Sequence, residues 1–375
     1  PKDQLEEEAI YGSALDIYTN AVASLYNYIG GTNESEGIQG TCRGIYDYNT
    51  LTTDEAMIPI RGGDWYDGGL WNAMYRHDWT ADDEPLYDTW KYLYKVIVLA
   101  NKSLDIIEAK SSLLTANQKD QFQAEVRALR ALMYYEAMEL FGRIPVILSS
   151  GEAAIYEAAS GIAVASLTDV NLCAQSERSE VFRFIFSELQ QALPYLPNEH
   201  SANGGVYEGR ITQPVINFLL AKLAFNAEIY TFDDWTRGYK KRPKGKKIHF
   251  VVQTADGASL LNGGTAGENR SKELNAWETC IFYCDKLAAE GYGLEENEIF
   301  NSSTYARLLR ENGGSHLVET EHLKPLFRFC YSEVLLMKEK AKVCKGDKAS
   351  ILFPIPQKCL DLNPKLVQNK GYEKK

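Results

Sequence analysis

The chain is expected to be mainly α, with tetratricopeptide-like helix pairs as a scaffold, long irregular loops and a few short strands. Apolar residues recur at helical spacing along most of the 375 residues. Start and stop signals bracket several of these stripes. Strand patterning is confined to one run, Ile248-His249-Phe250-Val251-Val252, with Asp256-Gly257 after it as a candidate hairpin turn.

The first clear helix pair lies near the middle of the N-terminal half. Trp90, Leu93, Tyr94, Ile97, Val98, Asn101 and Leu104 follow the i, i+3, i+4, i+7 rule and predict one buried stripe. Phe122, Val126, Leu129, Met133, Ala137 and Leu140 predict a second. Thr115 and Gln118 form a capping box ahead of it, and Gly142 and Pro145 mark its end. The short connection makes the pair an antiparallel αα-hairpin. Further helices are expected over 8–28 (Ala9, Leu15, Val22, Leu25), 179–193 (Phe182, Ile185, Phe186, Leu189, Leu193), 212–231, 274–290 and 325–342. Thr212 is the candidate cap of the third of these, with Pro214 in its first turn, where a missing N–H does no harm. Trp277, Ile281, Cys284 and Leu287 line the fourth, with Gly291 as its stop. The segments 30–90, 145–178 and 195–211 read as long irregular connections, which in compact domains are often functional.

Composition excludes several classes. The formal net charge of −11 disfavours nucleic acid as a partner. No run of about twenty apolar residues is present to form a membrane-spanning helix. The polar start at Pro1-Lys2-Asp3-Gln4 has no basic-then-apolar leader and reads as that of a mature or trimmed chain. Seven Cys in a chain this long are no disulfide scaffold. Cys280 and Cys284 stand one helical turn apart without nearby partners for zinc, so two small buried side chains are expected there. No Gly-rich phosphate loop and no Gly-x-Ser-x-Gly occurs, and His77, His200, His249, His316 and His322 form no ligand-spaced pair.

The densest chemistry lies in Arg61-Gly62-Gly63-Asp64-Trp65-Tyr66-Asp67-Gly68-Gly69-Leu70-Trp71, followed by Tyr75, His77-Asp78-Trp79, Trp90 and Tyr92. Three of the six Trp of the chain fall between 65 and 79. Sugar rings present apolar CH faces that stack on aromatic rings, and their hydroxyls need fixed polar partners; such a loop offers both. Trp65, Trp71, Tyr75 and Trp79 are the candidate stacking rings, with Arg61 and Asp64 as hydrogen-bonding groups. The competing account pins these rings to the helical core. Asp64, Asp67, Asp78, Asp82, Asp83 and Glu84 also lie here; as exposed loop carboxylates they are expected to be solvated, not a glycosidase pair. A second run, Arg237 to Lys247, holds seven basic residues in eleven. A solvated loop is the simpler account, and contact with an acidic glycan or a partner's acidic loop is the alternative.

The C-terminal residues carry a resemblance. Leu352-Phe353-Pro354-Ile355-Pro356, then Leu362-Asn363-Pro364, then Gln368-Asn369-x-Gly371-Tyr372, is similar to the closing signature of RagB/SusD proteins, with Lys370 where the family usually has Pro. Arg328 with Tyr331-Ser332-Glu333-Val334-Leu335-Leu336-Met337-Lys338 resembles the family's Leu-Leu-Met helix. Glu125-Val126-Arg127-Ala128-Leu129-Arg130-Ala131, Tyr134-Tyr135, and Leu140-Phe141-Gly142-x-Ile144-Pro145 resemble its second repeat helix and exit loop. The opening Pro-Lys-Asp and the Trp90-to-Asn101 helix fit as well. One departure is large. Only 339–351 separate the Leu-Leu-Met helix from the Phe-Pro-Ile-Pro motif, where the family has a long segment, so an internal deletion or absent loops are expected after about residue 300.

The resemblance implies a single SusD-like domain over 1–375. Its helical scaffold would cover about 8–142 and 179–342, with ligand-face loops at about 30–90 and 232–272. It implies a non-catalytic lipoprotein on the extracellular face of the outer membrane, anchored through a Cys upstream of Pro1. That protein would bind oligosaccharide or polysaccharide and deliver it to a SusC-type TonB-dependent transporter. No cofactor is implied, and the acidic loop leaves a structural calcium ion open. Three rival readings stand beside this one: a peptide-binding RagB-like member, an α-helical glycosidase, and a helical-repeat scaffold without a small ligand.

Overall fold

The computed structural model describes residues 10–31, 33, 35–38, 43–53, 56–148, 174–198, 207, 209–253, 271–289 and 331–346. The closing signature at 352–372, the opening Pro-Lys-Asp, Arg328, Gly291 and the Asp256-Gly257 turn lie outside these residues.

The chain opens with α1, which runs through Ala14–Ile17, a π-helical stretch Tyr18–Ala23 and Ser24–Gly30. Two short helices follow, α2 (Ile45–Leu51) and α3 (Leu70–Arg76), with the short strand β1 (Gly62–Trp65) between them. The long pair is α4 (Glu84–Ala109) and α5 (Ala116–Phe141). Then come α6 (Arg178–Ala192), α7 (Gln213–Phe225), α8 (Ala227–Tyr230), strands β2 (His249–Gln253) and β3 (Ser271–Asn275), α9 (Ala276–Ala289) and α10 (Tyr331–Lys345). Successive helices lie against one another: α4 on α5, α5 on α6, α6 on α7, α7 on α9 and α9 on α10. This is the expected stack of helix pairs. β2 and β3 pair antiparallel, Val251 opposite Glu273.

The capping box forms as expected: Thr115 Oγ1 accepts from Gln118 N–H (3.2 Å) and Gln118 Oε1 accepts from Thr115 N–H (3.0 Å). α5 is buried nearly all round, with Ala124, Ala128, Ala131 and Ala137 letting neighbours approach closely. On α4 the most buried face is centred on Leu93, Val96, Ile97 and Ala100, so Trp90, Tyr94 and Val98 sit at its flank. Cys280 and Cys284 are buried on α9, and the Cys284 thiol reaches Val334 O on α10.

Four expectations change. The helix over 8–28 contains a π turn. Its extra residue shifts the register, so Ile17, Ala21, Val22, Leu25 and Ile29 are buried while Leu15 is 73% exposed. The segment 212–231 breaks at Asn226, and Thr212 makes no side-chain cap: its Oγ1 is buried without a partner among the described residues. The start of the 274–290 helix moves to residue 276, because Asn275 caps it by accepting from the Trp277 and Glu278 N–H groups (3.0 and 3.1 Å). The 30–90 connection is not wholly irregular. α2 and α3 pack Tyr48 and Leu51 against Trp71 and Met74 in a small second core.

Buried charge on α5 ties the layers together. Glu125 is fully buried and binds Arg210 twice (2.7 and 3.1 Å). It also accepts from the Tyr18 and Tyr26 hydroxyls of α1. Five residues on, Arg130 pairs with Glu188 of α6 (2.6 Å) and with Asn101 of α4 (2.8 Å). Breaking a buried pair by removing one partner leaves an uncompensated charge. Glu125→Leu is therefore expected to destabilise the fold by about 3 kcal/mol. Arg143→Ala, which removes an exposed pair with Glu177, should leave the denaturant midpoint nearly unchanged.

Glu136 titrates unusually. Burial, reinforced by Glu139 and opposed by Lys222, raises its pKa from 4.5 to about 7. A raised carboxyl pKa means that the folded state holds the proton more tightly. The contribution is full below the unfolded value and is lost as pH rises through the folded one. Glu136→Gln should thus raise the melting temperature most at about pH 8, and the gain should vanish near pH 4.

Candidate functional site

The aromatic loop is built on the small core that α2 and α3 form. Gly62 and Gly63 take φ of 61° and 116°, which lets the chain fold back so that Arg61 and Asp64 exchange backbone hydrogen bonds (3.2 and 2.9 Å). The turn projects the residues that follow. Trp65 and Tyr66 are each 55% exposed and Tyr75 is 43% exposed.

Asp67 locks the loop. Its Oδ2 accepts from the Trp71 indole N–H (2.6 Å) and pairs with Arg43 (3.4 Å). Trp71 is in turn in ring contact with Trp65, centroids 6.3 Å apart. Arg43 reaches the same place from a turn of its own: Ser35 Oγ donates to Arg43 O (3.1 Å), and Asp47 accepts from Arg43 N–H (2.7 Å). Five non-glycine residues among those described have positive φ, namely Ser35, Arg43, Trp65, Asp67 and His77, and all fall in this region. Such conformations cost about 1–3 kcal/mol each and persist where surrounding contacts over-determine them, as they do here. Ser35, Arg43, Asp67, Leu70, Glu84 and Asp88 line a polar cleft of about 300 Å³ beside the loop.

The six sequence candidates divide. Trp65 and Tyr75 present their rings to solvent, and Arg61 and Asp64 are exposed at the turn. Trp79 is half-buried, 5.0 Å from the His77 ring and edge-on to Tyr48 at 6.1 Å. Trp71 requires correction. It is only 4% exposed, so it has no face free for a ligand and instead supports Trp65 from the core. Burial, reinforced by Asp83 and Asp47, pushes the Tyr48 hydroxyl up to about 12, so it stays neutral beneath Trp79. Asp83 is occupied in a turn, accepting from Thr80 N–H (2.6 Å).

Sequence reasoning missed Tyr66 and Arg43. Tyr66 sits inside the run between two Trp, and composition alone does not single it out. Nothing in the sequence ties Arg43 to Asp67, because that pairing needs the fold. Among the described residues no cluster of three or more His, Cys, Asp or Glu is arranged to hold a metal ion.

Residues 46–222, from α2 into α7, match the SusD-like family described as "Starch-binding associating with outer membrane". No curated protein matches significantly. Among solved structures, a SusD superfamily protein from Bacteroides vulgatus is similar at 15% identity with a TM-score of 0.50, over 78% of this chain and 46% of that one. A SusD homolog from Bacteroides thetaiotaomicron has 18% identity and a TM-score of 0.49, over 79% and 45%. A laminarin-binding SusD-like protein has 15% identity and a TM-score of 0.49, over 88% and 80%. The chain spans about half the length of the first two. Its stacked helix pairs and the matched stretch define a SusD-like fold. Over that stretch, and in its fold, the chain is similar to SusD-like proteins. None of its described helices is long and apolar enough to cross a membrane.

Removal of the Asp67 carboxylate takes one partner from Trp71 and one from Arg43. Asp67→Ala is expected to abolish hydrogen-exchange protection at the amides that close β1 and α3, Asp64, Gly69 and His77 among them. Protection in α5 should be unchanged.

Proposed function

We propose that this chain binds oligosaccharide or polysaccharide at the cell surface without cleaving it, and delivers it to a SusC-type TonB-dependent transporter. One observation carries the site assignment. Trp65, Tyr66 and Tyr75 hold large aromatic surfaces in water, on a backbone locked by Asp67, beside a cleft with Arg43, Glu84 and Asp88. Ordinary packing would turn such rings inward. Exposed faces on a rigid turn suit stacking against sugar CH groups, because little entropy is lost when the ligand arrives. Arg61 and Asp64 at the turn, and Arg43 and Asp67 behind it, supply donors and acceptors for hydroxyls.

The family's description as starch-binding supports the ligand class, and its association with the outer membrane supports a surface location. A lipid anchor upstream of Pro1 would hold the protein there. Binding without turnover needs no carboxylate pair flanking a scissile bond, and two of the loop's acidic groups, Asp67 and Asp83, hold turns together.

Affinity electrophoresis through plant, host and microbial polysaccharides tests this reading. Wild-type protein should be retarded by at least one neutral glycan, and Trp65→Ala with Tyr75→Ala should weaken that binding roughly tenfold, about 1.4 kcal/mol. Equal retardation of the variant would remove the site assignment. Binding of peptide mixtures in place of every glycan would overturn the ligand class.

A further inference from the structure

A second concave surface is built on α6. Between α6 and β2 runs a groove in two joined parts of about 510 and 550 Å³, which share Ser187 and Gln190. Its charged lining is of one sign. Arg183 and Lys247 flank the first part with His249, and Arg127 lines the second; no Asp or Glu among the described residues lines either. In a chain of net charge −11 this is a local reversal. Arg183, Lys247 and His249 are exposed and make no ion pair among the described residues. The Arg127 Nε is buried without a hydrogen-bond partner among the described residues. Phe250 gives the first part an aromatic wall, stacked on Phe186 at 4.4 Å, and Tyr195 stands 41% exposed at the far end.

The basic run reaches the same groove through Pro243 and Lys247. It consists of three consecutive 3-10 turns, Trp235–Arg237, Tyr239–Lys241 and Gly245–Lys247. It is pinned, not loose. Glu228 accepts from Gly245 N–H (2.8 Å) and pairs with Arg242 (2.9 Å). Gly245 packs so tightly on Trp277 that a Cβ there would run into the indole. Arg242 alone of the seven cations is neutralised in this way. Arg237, Lys240, Lys241, Lys244, Lys246 and Lys247 remain exposed without ion-pair partners among the described residues. Like charges in and beside a concave groove without acidic lining raise the local concentration of anions and hasten their capture.

We infer that this groove is a second site, for an anionic oligosaccharide bearing carboxylate or sulfate groups. Arg183, Lys247 and Arg127 would meet the anionic groups through charge-assisted hydrogen bonds. Gln190, Gln191, Gln253 and Ser187 supply uncharged partners for hydroxyls along its length. Phe250 and Tyr195 offer faces to sugar rings. The choice of a glycan over an acidic peptide rests on the binding function proposed above; the groove and its charge do not.

Calorimetric titration of the full chain with polygalacturonate oligosaccharides at low and at physiological salt provides the test, with polyglutamate and a neutral glucan oligosaccharide run alongside. Polygalacturonate should bind, and more weakly as salt rises. Arg183→Ser with Lys247→Ser should reduce its affinity by roughly fivefold or more. Both are surface positions, and an unchanged melting temperature would verify the fold. Trp65→Ala with Tyr75→Ala should leave polygalacturonate binding intact while weakening the neutral glycan, so the two sites fail separately. Undiminished affinity in the groove variant would overturn the proposal, as would absence of polygalacturonate binding or tighter binding of polyglutamate.

Discussion

The buried charges of α5 constrain everything around them. On a helix enclosed on nearly all sides a carboxylate or guanidinium without partners is costly, because desolvation costs several kcal/mol per ion. Glu125 therefore needs Arg210, Tyr18 and Tyr26, which come from opposite ends of the described N-terminal region. Arg130 needs Glu188 and Asn101, one from each flanking helix. Apolar stripes alone would let α4 and α6 slide along α5 at modest cost. Charge pairs with fixed geometry add a further constraint on the offset of the layers.

The aromatic loop inherits its position from the same helix. Leu140, near the end of α5, packs against the small core of Tyr48, Leu51, Trp71 and Met74. That core holds Trp71 still, Trp71 holds Asp67, and Asp67 fixes the turn that exposes Trp65 and Tyr66. A ligand face on a loop binds more tightly when the loop's entropy has been removed beforehand. The left-handed conformations at Arg43, Trp65 and Asp67 mark where that has been done. The groove along α6 is set in another way, by regular elements: α6 supplies one wall and β2 the other, with the basic turns fastened to Glu228 and Trp277.

Much of this was legible in the sequence. The stripes on α5, α6 and α9 lie where their periodicity puts them, and the Thr115 capping box forms as read. The π turn in α1 was not legible, since one inserted residue leaves the apolar pattern nearly intact while rotating Leu15 into solvent. α2 and α3 were hidden because each is only seven residues long and is stabilised by the other. Trp71 is the instructive error. In a run of Trp, Tyr and Gly, composition says that rings are present but not which way they face. The spacing of Trp71 and Met74 on one side of a short helix would have placed that ring inside. The opposite pairing, Arg43 with Asp67, had no local signature at all.

The central claim, that the chain captures glycan and releases it unchanged, is tested most directly by one incubation. The purified chain is mixed with an oligosaccharide that quenches its tryptophan fluorescence, and reducing ends are followed in the same sample. A saturable fluorescence change with a constant number of reducing ends is the result expected of a binding protein. Accumulation of new reducing ends in proportion to protein and time would contradict the account and make the chain an enzyme.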